Sequence, residues 1–297
     1  MKKSTMTDKI KDMELTGGMP LLKKIPMVLR ARNFRLYLSN GKRLVDLWLN
    51  GGAAVLGHTP SNLLRVLKNT AARGLYSPLP HFTEARFIKA LSRIFPNRSF
   101  RLYAALPQEL QSQIKNIDKH VLNGFSRLNN EDKKSIADVQ FWRPFTDPDN
   151  PFAVNDETPL LLPILPGIQT WRDGLPFGLC VAASSAENLS RLPQSDTFSP
   201  ILLAAAARGI YNLLAACDRA KPSLPKTANA IKNNSRWERN GIYITLKENI
   251  TPAEWEALFN KFLEAGFLLP PDPAYPIILP GELSAGEDAK LAKEINF

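Results

Sequence analysis

The stretch that decides the fold is residues 27–49, which read MVLRARNFRLYLSNGKRLVDLWL. Apolar and polar residues alternate on both sides of Ser39-Asn40-Gly41-Lys42, as they do in half-buried strands. An Asn-Gly pair between alternating runs is a strong hairpin signal, because both residue types tolerate a positive φ. The sequence therefore predicts two antiparallel strands, at residues 34–38 and 43–48.

Working outward from this hairpin, helical and extended patterns alternate along the chain. We expect helices that begin at Ser61, cover Thr83–Phe95 and Pro200–Ala216, run from the capping box Thr251-Pro252-Ala253-Glu254 to Gly266, and cover Ala285–Ile295. We expect strands at Phe100–Ala104, Leu160–Leu165, Gly178–Ala183, Gly241–Leu246 and Ile277–Leu279. An α/β protein follows from this order.

Composition places the chain among ordinary globular proteins. Of its 297 residues, 44% are hydrophobic and 22% are charged. No apolar stretch follows the N-terminal lysines, and the segment Ile201–Ala216 is interrupted by Arg208 and is short for a bilayer span. We therefore expect a soluble, cytoplasmic protein without a membrane segment.

The formal net charge is +10, which favours acidic partners. The basic residues are spread along the chain without a run of five, and no RNA-binding aromatic motif accompanies them. Nucleic-acid binding is therefore not expected, although a basic nucleic-acid- or protein-binding module stays as a second alternative function.

Cysteines and histidines give no sign of a metal site. Cys180 and Cys217 lie among apolar residues without CxxC spacing, so we expect two buried, reduced thiols. His58, His81 and His120 are far apart and unaccompanied by clustered ligands, so no metal is predicted. We expect His58 and His81 to form local hydrogen bonds, since neither has an acidic partner that the sequence reveals.

Four segments resemble, in order, the class III PLP-dependent aminotransferases, nearest to the glutamate semialdehyde aminomutase branch. They are Gly41–Asp46 with Gly57-His58 and Pro60, then Gly174-Leu-Pro-Phe-Gly178, then Asp196-Thr197-Phe198-Ser199, and last Phe262–Pro271 with Leu283-Ser284 and Glu287-Asp288. The first looks like the family's "G-x-R-x-x-D" and "L-G-H-x-x-P", with the His-to-Pro spacing shorter by one. Together the segments extend the resemblance over roughly half the chain.

The resemblance implies a shortened fold type I architecture. Its parts are a large domain around a mostly parallel central sheet, a small α+β domain made by both chain ends, and a homodimer. The chain is divided accordingly into an N-terminal segment of residues 1–75, a reduced large domain of residues 76–205 and a C-terminal small domain of residues 206–297. Because both ends are present, the missing material falls between residues 105 and 170.

PLP catalysis needs a lysine amine for the Schiff base and open backbone N–H groups for the phosphate. Counting back from Gly174, the position of the family's lysine falls on Gln169, whose amide cannot form a Schiff base. A shift of register supplies no substitute, since no lysine occurs between Lys134 and Lys221. The family's phosphate loop falls on residues 106–110, where Pro107 removes an N–H.

Thr197 is the one candidate cofactor ligand, because it matches the threonine with which the family reaches the phosphate of the neighbouring subunit's cofactor. A turn or helix-capping role is the competing interpretation. Asp156-Glu157 lies too near Gln169 for the family's layout and is expected in a surface loop. Lys221, Lys226 and Lys232 lie in no matching context.

We therefore expect an aminotransferase-like protein that lacks the Schiff-base lysine: a non-catalytic pseudoenzyme with a binding or dimerisation role, no cofactor and no metal. The alternative is an aminotransferase- or aminomutase-like enzyme whose remnant cleft holds PLP non-covalently, or another small anionic ligand, near Thr197 and Arg172. Substrate, partner and pathway are not defined by these residues.

Overall fold

The computed structural model describes residues 19–105, 107–108, 140–152, 160–162, 170–172 and 175–296. Besides short 3-10 turns, its helices are α1 (Leu63–Ala71), α2 (Phe82–Leu91), α3 (Ala186–Ser190), α4 (Pro200–Leu214), α5 (Pro225–Asn233), α6 (Pro252–Glu264) and α7 (Ala285–Ile295). Its strands are β1 (Val28–Arg32), β2 (Arg35–Leu38), β3 (Arg43–Asp46), β4 (Ser99–Ala105), β5 (Gln140–Phe141), β6 (Leu160–Leu162), β7 (Thr170–Arg172), β8 (Leu175–Ser184), β9 (Trp237–Asn240), β10 (Tyr243–Leu246), β11 (Phe267–Leu268) and β12 (Ile277–Ile278). No helix in these ranges is long and apolar enough to cross a membrane.

The predicted hairpin is formed by β2 and β3, which pair antiparallel with Tyr37 opposite Arg43. In its loop, the Gly41 N–H donates to the Leu38 carbonyl oxygen at 3.0 Å, and the Leu38 N–H donates to the Lys42 carbonyl oxygen at 2.9 Å. Gly41 has a φ of 80°, in the left-handed region that such tight hairpin loops require. The Asn-Gly prediction is confirmed, with the positive φ at the glycine.

The two chain ends meet in one sheet of order β1-β2-β3-β11. The C-terminal strand β11 lies parallel to β3, with Phe267 beside Val45 and Leu268 beside Asp46. Helix α6 delivers the chain to β11, because its capping box at Thr251 fixes its start and Gly266, with a φ of 93°, ends it. The prediction that both ends build one α+β unit is therefore confirmed.

The other sheet of this unit has the order β12-β10-β9. Helices α5 and α7 pack together beside it, and α7 supplies the cap that α5 lacks of its own. The buried Asp288 carboxylate of α7 accepts hydrogen bonds from the Lys226 and Thr227 N–H groups at 3.1 and 3.0 Å. A carboxylate at a helix N-terminus satisfies the free donors there and is favoured by the helix dipole.

The central sheet has the order β4-β8-β6-β5, and β7 also pairs with β8. β8 runs antiparallel to β4, β6 and β7, whereas β5 and β6 are parallel. Four of the five strands thus share one direction, as predicted, but the reversed β8 lies between β4 and β6. The expected mostly parallel hydrogen bonding is therefore wrong for the described strands, in which β5–β6 is the one parallel ladder.

The reversal of β8 has a simple cause in chain length. Only two residues separate Arg172 at the end of β7 from Leu175 at the start of β8. A connection this short permits an antiparallel hairpin, whereas a parallel neighbour needs a crossover of roughly a dozen residues or more. The sequence missed this because Thr170–Arg172 was not recognised as a strand.

Helix α4 forms the packing base for α1 and α2, with Leu203, Ala206 and Ile210 fully buried. Its observed start at Pro200 confirms the predicted helix, and the predicted domain boundary at residue 206 falls inside it. The predicted cap of α1 needs correction. Asn62, with a φ of 61°, occupies the N-cap position without a capping hydrogen bond, since its side-chain amide donates to Ser61 Oγ, while the Ser61 carbonyl oxygen accepts from Asn212 of α4.

Asp46, at the end of β3, organises the loop that follows. Its carboxylate is buried and accepts from the Trp48 and Leu49 N–H groups at 2.9 and 2.8 Å. Its Oδ2 lies 2.9 Å from Nε2 of His58. Because an ionised carboxylate only accepts, Nε2 of His58 donates in this pair. His58 thus has an acidic partner twelve residues upstream, contrary to the sequence-based expectation.

The position before His58 requires glycine, because the backbone of Asn33 passes close to it. Gly57 has a φ of 90°, and a Cβ at this position would lie 3.0 Å from the Asn33 carbonyl oxygen. That same oxygen accepts from the His58 N–H at 2.7 Å. The Gly57-His58 motif therefore closes the loop onto the turn between β1 and β2 and orients His58 toward Asp46.

We predict that Asp46→Ala lowers the free energy of unfolding by about 3 kcal/mol, since two backbone N–H groups and His58 lose their buried acceptor. Urea unfolding followed by circular dichroism measures this change. Glu248→Ala is the control, because Glu248 is an exposed carboxylate in the bend after β10 whose side chain forms no hydrogen bond or ion pair with another described residue, so we expect no measurable change. Equal unfolding midpoints for Asp46→Ala and the control would contradict a structural role for Asp46.

Glu287 joins the hairpin to α7 through a bidentate ion pair. Nε and Nη2 of Arg35 donate to its two oxygens at 3.1 and 2.6 Å. Burial raises the pKa of Glu287, but the hydrogen bonds from Arg35 and Ser284 outweigh this effect and lower the pKa to about 2. An unfolded glutamate titrates near pH ~4.3. The stabilisation is therefore complete above that value and is lost as the pH falls toward 2.

We predict that Glu287→Gln removes part of the acid sensitivity of the fold. The variant should be less stable than the parent protein at about pH 6, and the difference should shrink as the pH falls below about 4. Urea unfolding at stepped pH values measures both quantities. Glu264→Gln serves as control, because Glu264 is exposed and forms no ion pair with other described residues. A difference that does not change with pH would contradict the assignment.

Candidate functional site

The position assigned to the family's lysine, Gln169, lies outside the described residues, as do Asp156-Glu157 and residues 106 and 109–110 of the aligned phosphate loop. What the structure describes is the hairpin that begins directly after Gln169. In it, Thr170 pairs with Phe177 and Arg172 pairs with Leu175. The assignment of Gln169 therefore stays a prediction from the sequence.

The segment that carries Thr197 runs along the edge of β4. Ser195 Oγ accepts from the Leu102 N–H at 3.1 Å, and Asp196 Oδ2 accepts from the Ala104 N–H at 2.8 Å. Thr197 follows with an exposed side chain, and its hydroxyl forms no hydrogen bond with another described residue. Ser199, not Thr197, is the N-cap of α4, so the capping interpretation is wrong. A cofactor-binding role for Thr197 stays a prediction.

His81 forms the local hydrogen bonds that were expected of it. It is the N-cap of α2, and its Nδ1 accepts from the Thr83 N–H at 3.3 Å. The Thr83 hydroxyl lies 3.0 Å from the same nitrogen. Since a backbone N–H can only donate, Nδ1 carries the lone pair and the ring proton is on Nε2.

The two thiols differ in environment. Cys180 in β8 is buried, as predicted, and burial raises its pKa to about 12, which keeps it protonated and unreactive. Cys217 is exposed, so its predicted burial is wrong: it lies just beyond the end of α4, where the apolar helix has given way to a 3-10 turn. Within the described ranges, no group of three or more metal-ligating side chains occurs.

The lysines bear directly on PLP chemistry. Lys261 is half-buried and its Nζ lies 3.5 Å from the Glu294 carboxylate. Every other lysine of the described ranges is exposed. Lys221, the first lysine after Gln169, pairs with Asp149 at 2.8 Å on the surface. A Schiff-base lysine needs a partly desolvated amine held against the cofactor, and none of these lysines has such a setting.

Buried arginines form a feature that sequence analysis missed. Arg143 donates to the Gly51 carbonyl oxygen at 2.8 Å, and Arg219 donates to the carbonyl oxygens of Val55 and Leu279. Burial lowers the pKa of both, to about 10 for Arg219. These guanidinium groups tie the loop after β3 to distant segments. Only the fold brings these carbonyl groups together, so no local sequence signal marks the arginines.

Two cavities adjoin α4. The larger, of about 680 Å³, lies between α4, the N-terminal segment and the C-terminal tail, and includes Phe34, Asn212, Arg219 and Glu282 in its wall. The smaller, of about 160 Å³, lies between α1, α2 and α4 and includes His81 and three arginines. Thr197 lines neither of them.

Comparison of the sequence with known proteins finds uncharacterised relatives of similar length. No family model matches the sequence. An uncharacterised protein of Borreliella burgdorferi is 27% identical over 270 residues, which cover 91% of this chain and 90% of the relative. An uncharacterised protein of Treponema pallidum is 26% identical over 305 residues, covering 88% of this chain and 91% of the relative.

Solved structures of class III PLP-dependent aminotransferases resemble the whole described fold. Ornithine aminotransferase from Plasmodium yoelii matches with a TM-score of 0.62 at 12% identity, covering 91% of this chain and 92% of that one. Glutamate-1-semialdehyde aminomutase from Pseudomonas aeruginosa matches with a TM-score of 0.63 at 11% identity, covering 91% and 86%. The chain therefore has the α/β fold of the PLP-dependent transferases, in shortened form.

Proposed function

We propose that this chain is a non-catalytic protein on an aminotransferase-like fold, with a binding and dimerisation role in place of amino-group transfer. The observation that carries the proposal is the distribution of lysines. None occurs between Lys134 and Lys221, and those of the described ranges are exposed or, for Lys261, bound to Glu294. Among the described residues, therefore, no lysine amine is held in the way that the internal Schiff base of this chemistry requires.

The other parts of the expected cofactor site support the same proposal. The sequence has Arg172 and Asp173 where the family has glycines after its lysine, and Pro107 in the aligned phosphate loop. Proline removes one of the N–H donors by which a phosphate is held at a helix start. The residues that fit the family best, Asp46, Gly57 and His58, are used in closing a loop.

The proposed dimer is supported by the segment that joins α1 to α2. Tyr76 and Leu79 in this segment and Phe82 at the start of α2 are 63%, 62% and 59% exposed. Apolar side chains grouped on one surface segment are typical of a protein–protein contact. A second copy of this chain is the partner proposed, because the resemblance to class III aminotransferases implies a homodimer.

We predict that the purified protein forms no internal aldimine with PLP. A scan of absorbance with added PLP should show no band in the region of roughly 410–430 nm where internal aldimines absorb. Borohydride reduction followed by intact mass and peptide mapping should show at most scattered adducts on exposed lysines. A single stoichiometric adduct on one lysine would contradict the proposal and identify the nucleophile of an active enzyme.

This experiment also separates the proposal from its alternative. Dialysis before reduction leaves a tightly held, non-covalent PLP in place, which absorbance then detects without any lysine adduct. That result would favour an enzyme or binding protein that uses the remnant cleft near Thr197 and Arg172. A strong, salt-dependent affinity for DNA or RNA would favour the basic binding module in its place.

We predict that the protein is a dimer in solution and that Leu79→Glu shifts it to the monomer, because a charge in the interface must be desolvated without a partner. Size-exclusion chromatography with light scattering measures the mass. Asn249→Glu is the control, since Asn249 is an exposed polar residue between β10 and α6 with no exposed large hydrophobic residue beside it in sequence. A monomeric parent protein, or dissociation by both substitutions alike, would contradict this interface.

A further inference from the structure

The smaller cavity beside α4 has an unusual charge. The residues that line it include Arg73, Arg86, Arg208 and His81, and no aspartate or glutamate is among them; Arg208 also lines the larger cavity. Its volume of about 160 Å³ lies below the roughly 300–1,000 Å³ of pockets for drug-sized ligands. It therefore suits a group of a few heavy atoms. Arg73 and Arg86 are exposed, so the cavity opens to solvent.

The three guanidinium groups have no counter-ion in the described part of the chain. Neither the Arg73 nor the Arg86 side chain forms a hydrogen bond or an ion pair with another described residue. Arg208 makes one hydrogen bond, from Nε to the Asn212 side-chain oxygen at 2.9 Å. Three like charges around a small cavity repel one another, and an anion placed between them removes that repulsion. The same sequence forms ion pairs elsewhere, as Arg35 does with Glu287.

Two of the donors are held in place by their own partners. Asn212 accepts from Nε of Arg208 and itself donates to the Ser61 carbonyl oxygen at 2.8 Å, which leaves both terminal nitrogens of Arg208 available. His81 caps α2 by accepting the Thr83 N–H at Nδ1. This hydrogen bond fixes the tautomer of His81, so that its Nε2 carries a proton. No described residue accepts from that Nε2. The cavity thus combines the guanidinium groups of three arginines with the Nε2–H donor of His81.

We propose that this cavity is a binding site for a doubly charged phosphate group, either free phosphate or the phosphate of a small phosphomonoester. Guanidinium forks match the spacing of phosphate oxygens and form short, charge-assisted hydrogen bonds with them. Three positive charges favour a dianion over a single carboxylate. The site uses α1, α2 and α4 and does not involve Gln169, so it does not rest on the proposed loss of catalysis; Phe82 in its wall also belongs to the proposed dimer contact.

Calorimetric titration of the full chain with sodium phosphate, against sodium chloride at matched ionic strength, tests this site. We expect saturable binding of phosphate that chloride does not reproduce. Arg86→Gln should weaken it by about tenfold, the equivalent of one lost charge-assisted hydrogen bond. His81→Asp should abolish it while keeping the cap of α2, because aspartate also caps helices and brings a negative charge to the cavity.

Arg65→Gln is the matched control, because Arg65 is exposed on α1 and does not line the cavity. It should leave the affinity within about twofold of the parent value, since it removes the same charge at a distance screened by salt. Tighter binding of glycerol phosphate than of inorganic phosphate would identify a phosphomonoester as the ligand class, and equal affinities would identify free phosphate. No saturable binding, or an equal loss in Arg65→Gln and Arg86→Gln, would overturn the proposal.

Discussion

The buried carboxylate of Asp46 is the interaction on which the arrangement of the two chain ends depends. Asp46 ends β3, the strand that pairs with β2 of the hairpin on one side and with C-terminal β11 on the other. By accepting from Trp48, Leu49 and His58, it turns the chain out of the sheet and into the loop that leads to α1. A residue without a side-chain acceptor here, such as alanine, leaves these three donors unpaired, so both the sheet and the loop depend on the Asp46 side chain.

Local patterns in the sequence predict the small unit well and the central sheet less well. The hairpin, the capping box at Thr251 and the helix Ala285–Ile295 each depend on neighbouring residues, and each is confirmed. The pairing of β8 depends on a strand of three residues, which no periodicity reveals. The partner of His58 and the carbonyl contacts of Arg219 are likewise set by tertiary structure. The sequence motif singles out Gly57 and His58, but their role in closing the loop depends on contacts with Asn33 and Asp46 that only the fold creates.

The proposed function separates the fold of this chain from the chemistry of the aminotransferases that share the fold. The motif residues that it keeps, Asp46, Gly57 and His58, close a loop, whereas the aligned lysine position carries Gln169. If catalysis is lost as proposed, such a fold can still keep an interface or bind a ligand. The uncompensated arginines beside α4 and the exposed apolar segment between α1 and α2 are where this structure offers such properties.

The proposed loss of amino-group chemistry is tested by exchange, in D₂O, of the proton on the amino-bearing carbons of candidate substrates. Nuclear magnetic resonance follows this exchange for ornithine and the common amino acids in the presence of PLP. It requires no knowledge of a second substrate, because every transamination removes the proton from the carbon that carries the reacting amino group, which is Cα in an α-amino acid and can also be Cδ in ornithine. We predict the same slow exchange with the protein as with free PLP. Acceleration that scales with protein concentration would contradict the account.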